Sequence, residues 1–137
     1  MGLEDNRIAG EELDLELCSF FKGKISPEHS YFDFYTDKAL FEVKSCHAKI
    51  KDGVGRKLRS GRFSIHKDSH DLIAMNASDQ KKYAIYIFVL LDDKHQIIAK
   101  RILNWIAINK LLLILKPIHR GDYQFKHEII FGDLKHE

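Results

Sequence analysis

Three side chains in the first third of this 137-residue chain have the types and spacing for metal-assisted phosphodiester chemistry: Asp33, Glu42 and Lys44. Tyr31–Tyr35 and Leu40–Cys46 are rich in aromatic and β-branched residues alternating with charges, as expected of two strands. Thr36-Asp37-Lys38-Ala39 between them is short enough for a hairpin turn. A symmetric turn about Asp37-Lys38 sets Tyr35 opposite Leu40, Phe34 opposite Phe41 and Asp33 opposite Glu42. Opposed residues of an antiparallel pair share a face, with Cβ atoms about 5 Å apart. Strand alternation adds Lys44 to that face and turns Phe32, Phe34, Phe41 and Val43 to the other, as a core face. Two carboxylates so close repel unless they share a proton or bind a cation. Oxygen donors suit a hard ion, Mg²⁺ or Mn²⁺, which binds phosphate oxygens. A lysine beside it can orient the attacking water or offset developing charge.

The pattern Asp/Glu-x-Lys occurs four times, at Glu42-Val43-Lys44, Asp79-Gln80-Lys81, Asp92-Asp93-Lys94 and Asp133-Leu134-Lys135. Only the first lies within an apolar strand with an acid across a hairpin. The competing reading is a surface salt bridge between Glu42 and Lys44, with Asp33 solvated on an open sheet face.

The net charge of +2 hides a strong segregation. Residues 1–43 carry 4 basic and 10 acidic side chains, whereas residues 44–67 carry 8 basic and 1 acidic. A basic stretch that begins at Lys44 suits a polyanion. Lys49, Lys51, Arg56, Lys57, Arg59 and Arg62 are the expected phosphate contacts, carried on a flexible glycine-containing loop over 49–62.

With these residues in view, the chain resembles the PD-(D/E)xK nuclease superfamily, which includes restriction endonucleases and the small archaeal Holliday junction resolvases. The resemblance spans roughly residues 10–92 and rests on an acidic first helix, Asp33 and Phe41-Glu42-Val43-Lys44-Ser45. It implies an αβββαβ core, a Mg²⁺-dependent DNA endonuclease, Asp33 and Glu42 as metal ligands and Lys44 as the residue assisting the water. It also implies an acid from the first helix, for which Glu12, Asp14 and Glu16 are candidates and Glu16 is favoured. The chain departs from the family pattern in having Tyr31-Phe32 rather than proline before Asp33, and in a short Asp-to-Glu interval. A non-catalytic nucleic-acid-binding or assembly protein that kept the fold is the alternative, and a nuclease acting on RNA or on branched or single-stranded DNA is a third reading that the sequence does not separate.

The elements that must position these residues can be read along the chain. A helix is expected over Ile8–Phe21, with Leu13, Leu17, Phe20 and Phe21 on its apolar stripe and Gly23 ending it. A short strand is expected over Arg62–His66 and a helix over Asp68–Ala77, capped by Asp68 or Ser69. Tyr83–Leu91 reads as a central strand covered on both faces. Gln96–Ile102 follows as a strand, Asn104–Leu115 as a helix and Tyr123–Phe131 as a last strand. The fold class is therefore α/β (α+β): a mixed central sheet flanked by helices, with residues 1–137 as a single nuclease-like domain.

Two cysteines, Cys18 and Cys46, make no disulfide framework or four-thiolate metal site, and Cys46 reads as a packing residue. His66 and His70, spaced i, i+4, suit helix capping or local hydrogen bonds better than a metal, though His70 could instead reach a phosphate. No apolar run approaches the roughly 20 residues that span a bilayer, and residues 1–10 lack an apolar leader core. The expected setting is cytoplasmic, and a homodimer is expected because cutting two strands needs two sites.

Overall fold

The computed structural model describes residues 3–28, 30–52 and 57–132. Helix α1 (Leu3–Phe20) leads into two short strands, β1 (Lys24–Ile25) and β2 (Phe34–Tyr35), and then the long β3 (Ala39–His47). A hairpin of β4 (Lys49–Asp52) and β5 (Lys57–Ser60) follows, then β6 (Arg62–His66) and α2 (Lys67–Gln80). The chain finishes with β7 (Tyr83–Leu91), β8 (Ile97–Asn104), α3 (Trp105–Ile114), β9 (Asp122–Lys126) and α4 (Glu128–Phe131).

The main sheet has the order β1-β2-β3-β7-β8, with β3 and β7 parallel and the other pairs antiparallel. It is the mixed sheet flanked by helices that the sequence pattern anticipates. Parallel strands need a long crossover, and the segment from β4 through α2 supplies it. β7 lies inside the sheet between β3 and β8, and Tyr86 through Leu91 are all buried. Its continuous apolar run is explained by cover on both faces.

Side chains of β3 alternate between two cores. On one face, Phe41 joins Phe34, Ile87 and Val89 under Leu13, Leu17 and Cys18 of α1. Phe34 and Phe41 stack at 4.6 Å between ring centroids. On the other face, Leu40 packs against Ile73 and Ala77 of α2, and Cys46 against a cluster built on Phe63, Phe88 and Phe125. Glu42 and Lys44 fall between Leu40 and Cys46 on this second face.

Several elements differ from the sequence expectation. The described residues of 49–60 are strand rather than loop: Lys49 to Asp52 pair antiparallel with Ser60 to Lys57. β6 pairs with β9 rather than joining the main sheet. The final segment is strand only to Lys126 and then becomes a short helix. His66, not Asp68 or Ser69, caps α2, its side chain accepting from the Asp68 N–H at 3.3 Å. After α1 the left-handed residue is Lys22 (φ 57°). Gly23 is needed instead for close approach, since a Cβ there would stand 2.8 Å from the Tyr35 carbonyl oxygen. Phe32 packs on the Leu40 side rather than with Phe34, because the chain changes course at Asp33. Phe20 is largely exposed, with the Lys100 ammonium 4.7 Å above its ring.

Gly61 seats the hairpin against the end of β3. Its N–H donates to Ala48 O at 3.1 Å, and a Cβ at this position would fall on the His47 carbonyl oxygen. Backbone cannot yield as a side chain does, so Gly61→Ala is expected to cost at least about 2 kcal/mol. Urea unfolding of the variant checks this; a loss below about 0.5 kcal/mol would show that the contact is not tight.

Candidate active site

The site begins where β2 ends. The β2–β3 ladder has the expected register, Tyr35 with Leu40 and Phe34 with Phe41. Thr36 N–H donates to Ala39 O at 2.9 Å, and Thr36 Oγ1 accepts from the N–H groups of Lys38 and Ala39, which closes the turn. One residue earlier the ladder stops. The Asp33 N–H donates to Phe41 O at 2.7 Å, out of step with a regular pair. The Asp33 side chain then takes the role of the missing strand: Oδ2 accepts the Val43 N–H at 2.6 Å. A carboxylate accepting from backbone N–H is among the stronger neutral–ion hydrogen bonds.

Glu42 is half-buried, and its carboxyl faces that of Asp33. Burial holds Glu42 well above the usual carboxylate range, and the hydrogen bond and charge of Asp33 push in the same direction. Lys44 opposes them, and Asp14 adds a smaller upward push. An upward shift of this kind is the outcome expected when like charges are forced together out of water.

The acid that α1 brings beside this pair is Asp14, not the favoured Glu16. Burial raises Asp14 to about 7, with Asp33 and then Glu11 adding to it. Glu16 is exposed and lines a separate cavity with Glu12, Leu91 and His95. The reason is helical: two residues turn the direction by about 200°. With Leu13 and Leu17 pinned in the core, Asp14 points toward Asp33 and Glu16 points away.

Lys44 is half-buried, lies alongside Phe88 in the β3–β7 register, and its charge acts on Glu42. Glu42 is the register partner of Tyr86 on β7. The Tyr86 hydroxyl meets His70 Nδ1 at 2.7 Å, and His70 Nε2 meets Asn109 Oδ1 at 3.1 Å. An amide oxygen only accepts, so Nε2 bears the hydrogen and Nδ1 accepts from Tyr86. Trp105 stacks on the imidazole at 4.5 Å and its Nε1–H donates to His70 O at 2.7 Å. His70 is 1% exposed, and burial lowers its pKa. It is thus a neutral, satisfied core residue behind the site and does not reach a phosphate. His66 and His70 do not form a pair: one caps α2 and the other is buried. Tyr86 and His70 carry no sequence signal as a network; their contact needs the β7–α2 packing.

The hairpin after β3 carries Lys49, exposed on β4, and Arg59, half-buried on β5. Arg62 is exposed on β6 directly opposite Lys126 of β9. Two cations opposed across a ladder repel, so that face gains from an anion. Lys51 and Lys57 belong to β4 and β5, but their side chains, and all of Arg56, lie outside the described residues. Cys46 is pushed up to about 12 by burial, with Glu128 adding to it, so its thiol is inert.

Among the described residues no three His, Cys, Asp or Glu side chains form a ready cation cage. Mg²⁺ does not need one: it is commonly held by one or two carboxylates and keeps its waters. Asp33 and Glu42, with Asp14 near, fit that donor chemistry once Glu42 is ionised. Among the described residues no helix is long and apolar enough to cross a membrane. No family model matches this chain, and no curated protein matches it.

The raised carboxyls set a pH dependence. Asp14 ionises near 3.8 when unfolded and near 7 when folded. Its stabilising contribution is full below about 4 and is lost as pH rises toward about 7, because the folded state holds the extra proton. Glu42 acts with the same sign, from its ordinary range upward. Glu42→Gln, neutral at every pH, should therefore gain stability relative to wild type as pH rises from about 5 to about 8 without divalent cations. Urea midpoints across that range measure it; a pH-independent difference would mean that Glu42 titrates normally.

Proposed function

We propose that this protein is a Mg²⁺- or Mn²⁺-dependent DNA endonuclease of the PD-(D/E)xK type. The observation that carries the reading is the Asp33–Glu42 carboxyl pair at the edge of β3, with Lys44 on the same strand face. Such a pair costs stability unless something uses it. Asp33 and Glu42 would hold the ion, which when bound supplies a polarised phosphoryl oxygen and a water of lowered pKa.

The chain's own residues provide the rest. Asp33 is fixed by Val43 N–H, so one ligand is oriented before any cation arrives. Glu42 gives up its proton to serve as the second. Lys44 offsets the charge of the attacked phosphate and orients the water beside it. Asp14 supplies further negative charge from the helix side. The β4–β5 hairpin and Arg62 hold the backbone of the nucleic acid through contacts that salt weakens. A homodimer would bring two such sites to the two strands of a duplex.

Because Glu42 must lose a proton, cation binding is expected to strengthen with pH. Mg²⁺ at about 100 times its Kd stabilises the fold by about 2.7 kcal/mol. The thermal shift it gives should be larger at pH 8 than at pH 6 and absent in Asp33→Asn.

The direct test incubates the protein with supercoiled, linear and four-way-junction DNA in Mg²⁺, Mn²⁺ or EDTA. Cleavage is expected with either cation and not with EDTA. Glu42→Ala and Lys44→Ala should each lose at least about 100-fold in rate. Variants that cut as well as wild type would overturn the reading. Salt-sensitive DNA binding with no cleavage in either cation would instead favour a binding protein built on the same fold.

A further inference from the structure

At the other end of β3 from the basic hairpin lies a groove of about 520 Å³. Phe21, Tyr35 and Tyr83 supply aromatic surface to it, and Lys22, Lys24 and Lys38 supply charge. Tyr83 is 73% exposed, which is unusual for a large ring at the start of a central strand. Its N–H donates to Lys38 O at 2.9 Å, so the ring is anchored to the β2–β3 turn. Lys82 adds a further cation, its ammonium 5.0 Å from the centre of the Tyr35 ring.

The charge is not neutralised locally. Asp37 is the one acid lining the groove against three lysines. Among the described residues no carboxylate pairs with Lys22, Lys24 or Lys38. Both α1 and α2 end near this place on a lysine in the left-handed conformation, Lys22 and Lys81, each with φ 57°. Glycine is the low-cost residue for that conformation. Lysine there keeps a cation at each helix end, where the helix dipole also favours it.

Tyr83 is the exposed ring, with half-buried Phe21 and Tyr35 beside it; an exposed ring among lysines is the chemistry of a single-stranded nucleic-acid platform, the ring stacking with a base and the ammonium groups meeting phosphates. Ala39 and Phe41 of β3 line the groove on the α1 side, and Glu42 and Lys44 of the same strand lie on its opposite face. We propose that this groove binds single-stranded DNA, holding an unpaired strand where β3 begins while the basic hairpin at the strand's other end holds the duplex. The choice of DNA rests on the nuclease reading; the groove itself asks for an unpaired polyanion with bases free to stack. The preferred substrate is then DNA that carries an unpaired segment as well as duplex, such as a flap, fork or gapped duplex.

The test measures anisotropy of a labelled oligothymidylate of about 12 nucleotides, with oligouridylate and a blunt duplex of equal length as comparisons. The full chain is used in EDTA, so that cleavage plays no part. Wild type is expected to bind the oligothymidylate more tightly than the oligouridylate. Tyr83→Ala should weaken oligothymidylate binding at least tenfold while changing duplex binding less than twofold. Lys24→Glu should lower the slope of log Kd against log salt by about 0.7, the loss of one single-strand phosphate contact. Both positions are exposed, and unchanged thermal unfolding separates lost contact from lost fold. Oligothymidylate binding within twofold of wild type in both variants would overturn the proposal, as would equal or tighter binding of oligouridylate. If instead the groove behaves as expected and no DNA is cut in Mg²⁺ or Mn²⁺, the nuclease reading fails and the groove stands.

Discussion

The hydrogen bond from Val43 N–H to Asp33 Oδ2, 2.6 Å long, is the contact on which the rest of the site depends. β2 covers only Leu40 and Phe41 of β3, so the next inward-facing amide on that edge needs a partner. A side chain rather than a strand provides it. That substitution ends the ladder, turns the chain at Asp33 and leaves a carboxylate beside the next acid on β3. Without this bond Asp33 would be free to move into water, and Glu42 would lose the neighbouring charge that adds to the upward push of burial. A structural requirement, satisfying a backbone donor, and a chemical one, converging two acids, are met by the same atom.

The wider architecture separates charge along a single strand. Lysines at the helix ends and the hairpin turn gather where β3 begins, acids meet near its middle, and the basic hairpin follows its end. β7 makes this possible by burying the strand's other edge and both of its own faces. On the face that Glu42 shares, the wall behind the carboxylates is not inert hydrocarbon. Tyr86, His70, Asn109 and Trp105 form a satisfied buried network there. Such networks hold side chains in one arrangement when every polar group has a partner, which suits a site where a few tenths of an ångström matter.

Local pattern was enough for much of this. Period-two alternation placed Glu42 and Lys44 on one face of β3, and turn symmetry gave the Phe34–Phe41 register, because both follow from strand geometry alone. The apolar run Tyr83–Leu91 marked the central strand, since only burial on both faces tolerates it. The charge reversal at Lys44 is likewise a property of sequence order. The sequence also misled in places. Three glycines and many charges suggested a loop over 49–62, yet cross-strand pairing outweighed composition and formed a hairpin. Arg62–His66 read correctly as a strand, but its partner β9 lies more than 50 residues away, and no local pattern names it.

What remained for the tertiary structure was every choice made by packing. Three acids on α1 looked equivalent as residue types. Only the docking of Leu13 and Leu17 rotates Asp14 toward the carboxylate pair and Glu16 away. The i, i+4 spacing of His66 and His70 left both open to capping or local hydrogen bonds, and only the meeting of α2 with β7 buries His70 while His66 stays the cap. The upward shift of Glu42 is set first by desolvation, which exists only once the cores on both sides of the sheet have closed. The sequence by itself determined which residue types share a strand and a face, because backbone geometry enforces period two. The fold alone decided which of them meet and in what charge state, because distance and burial are properties of packed elements.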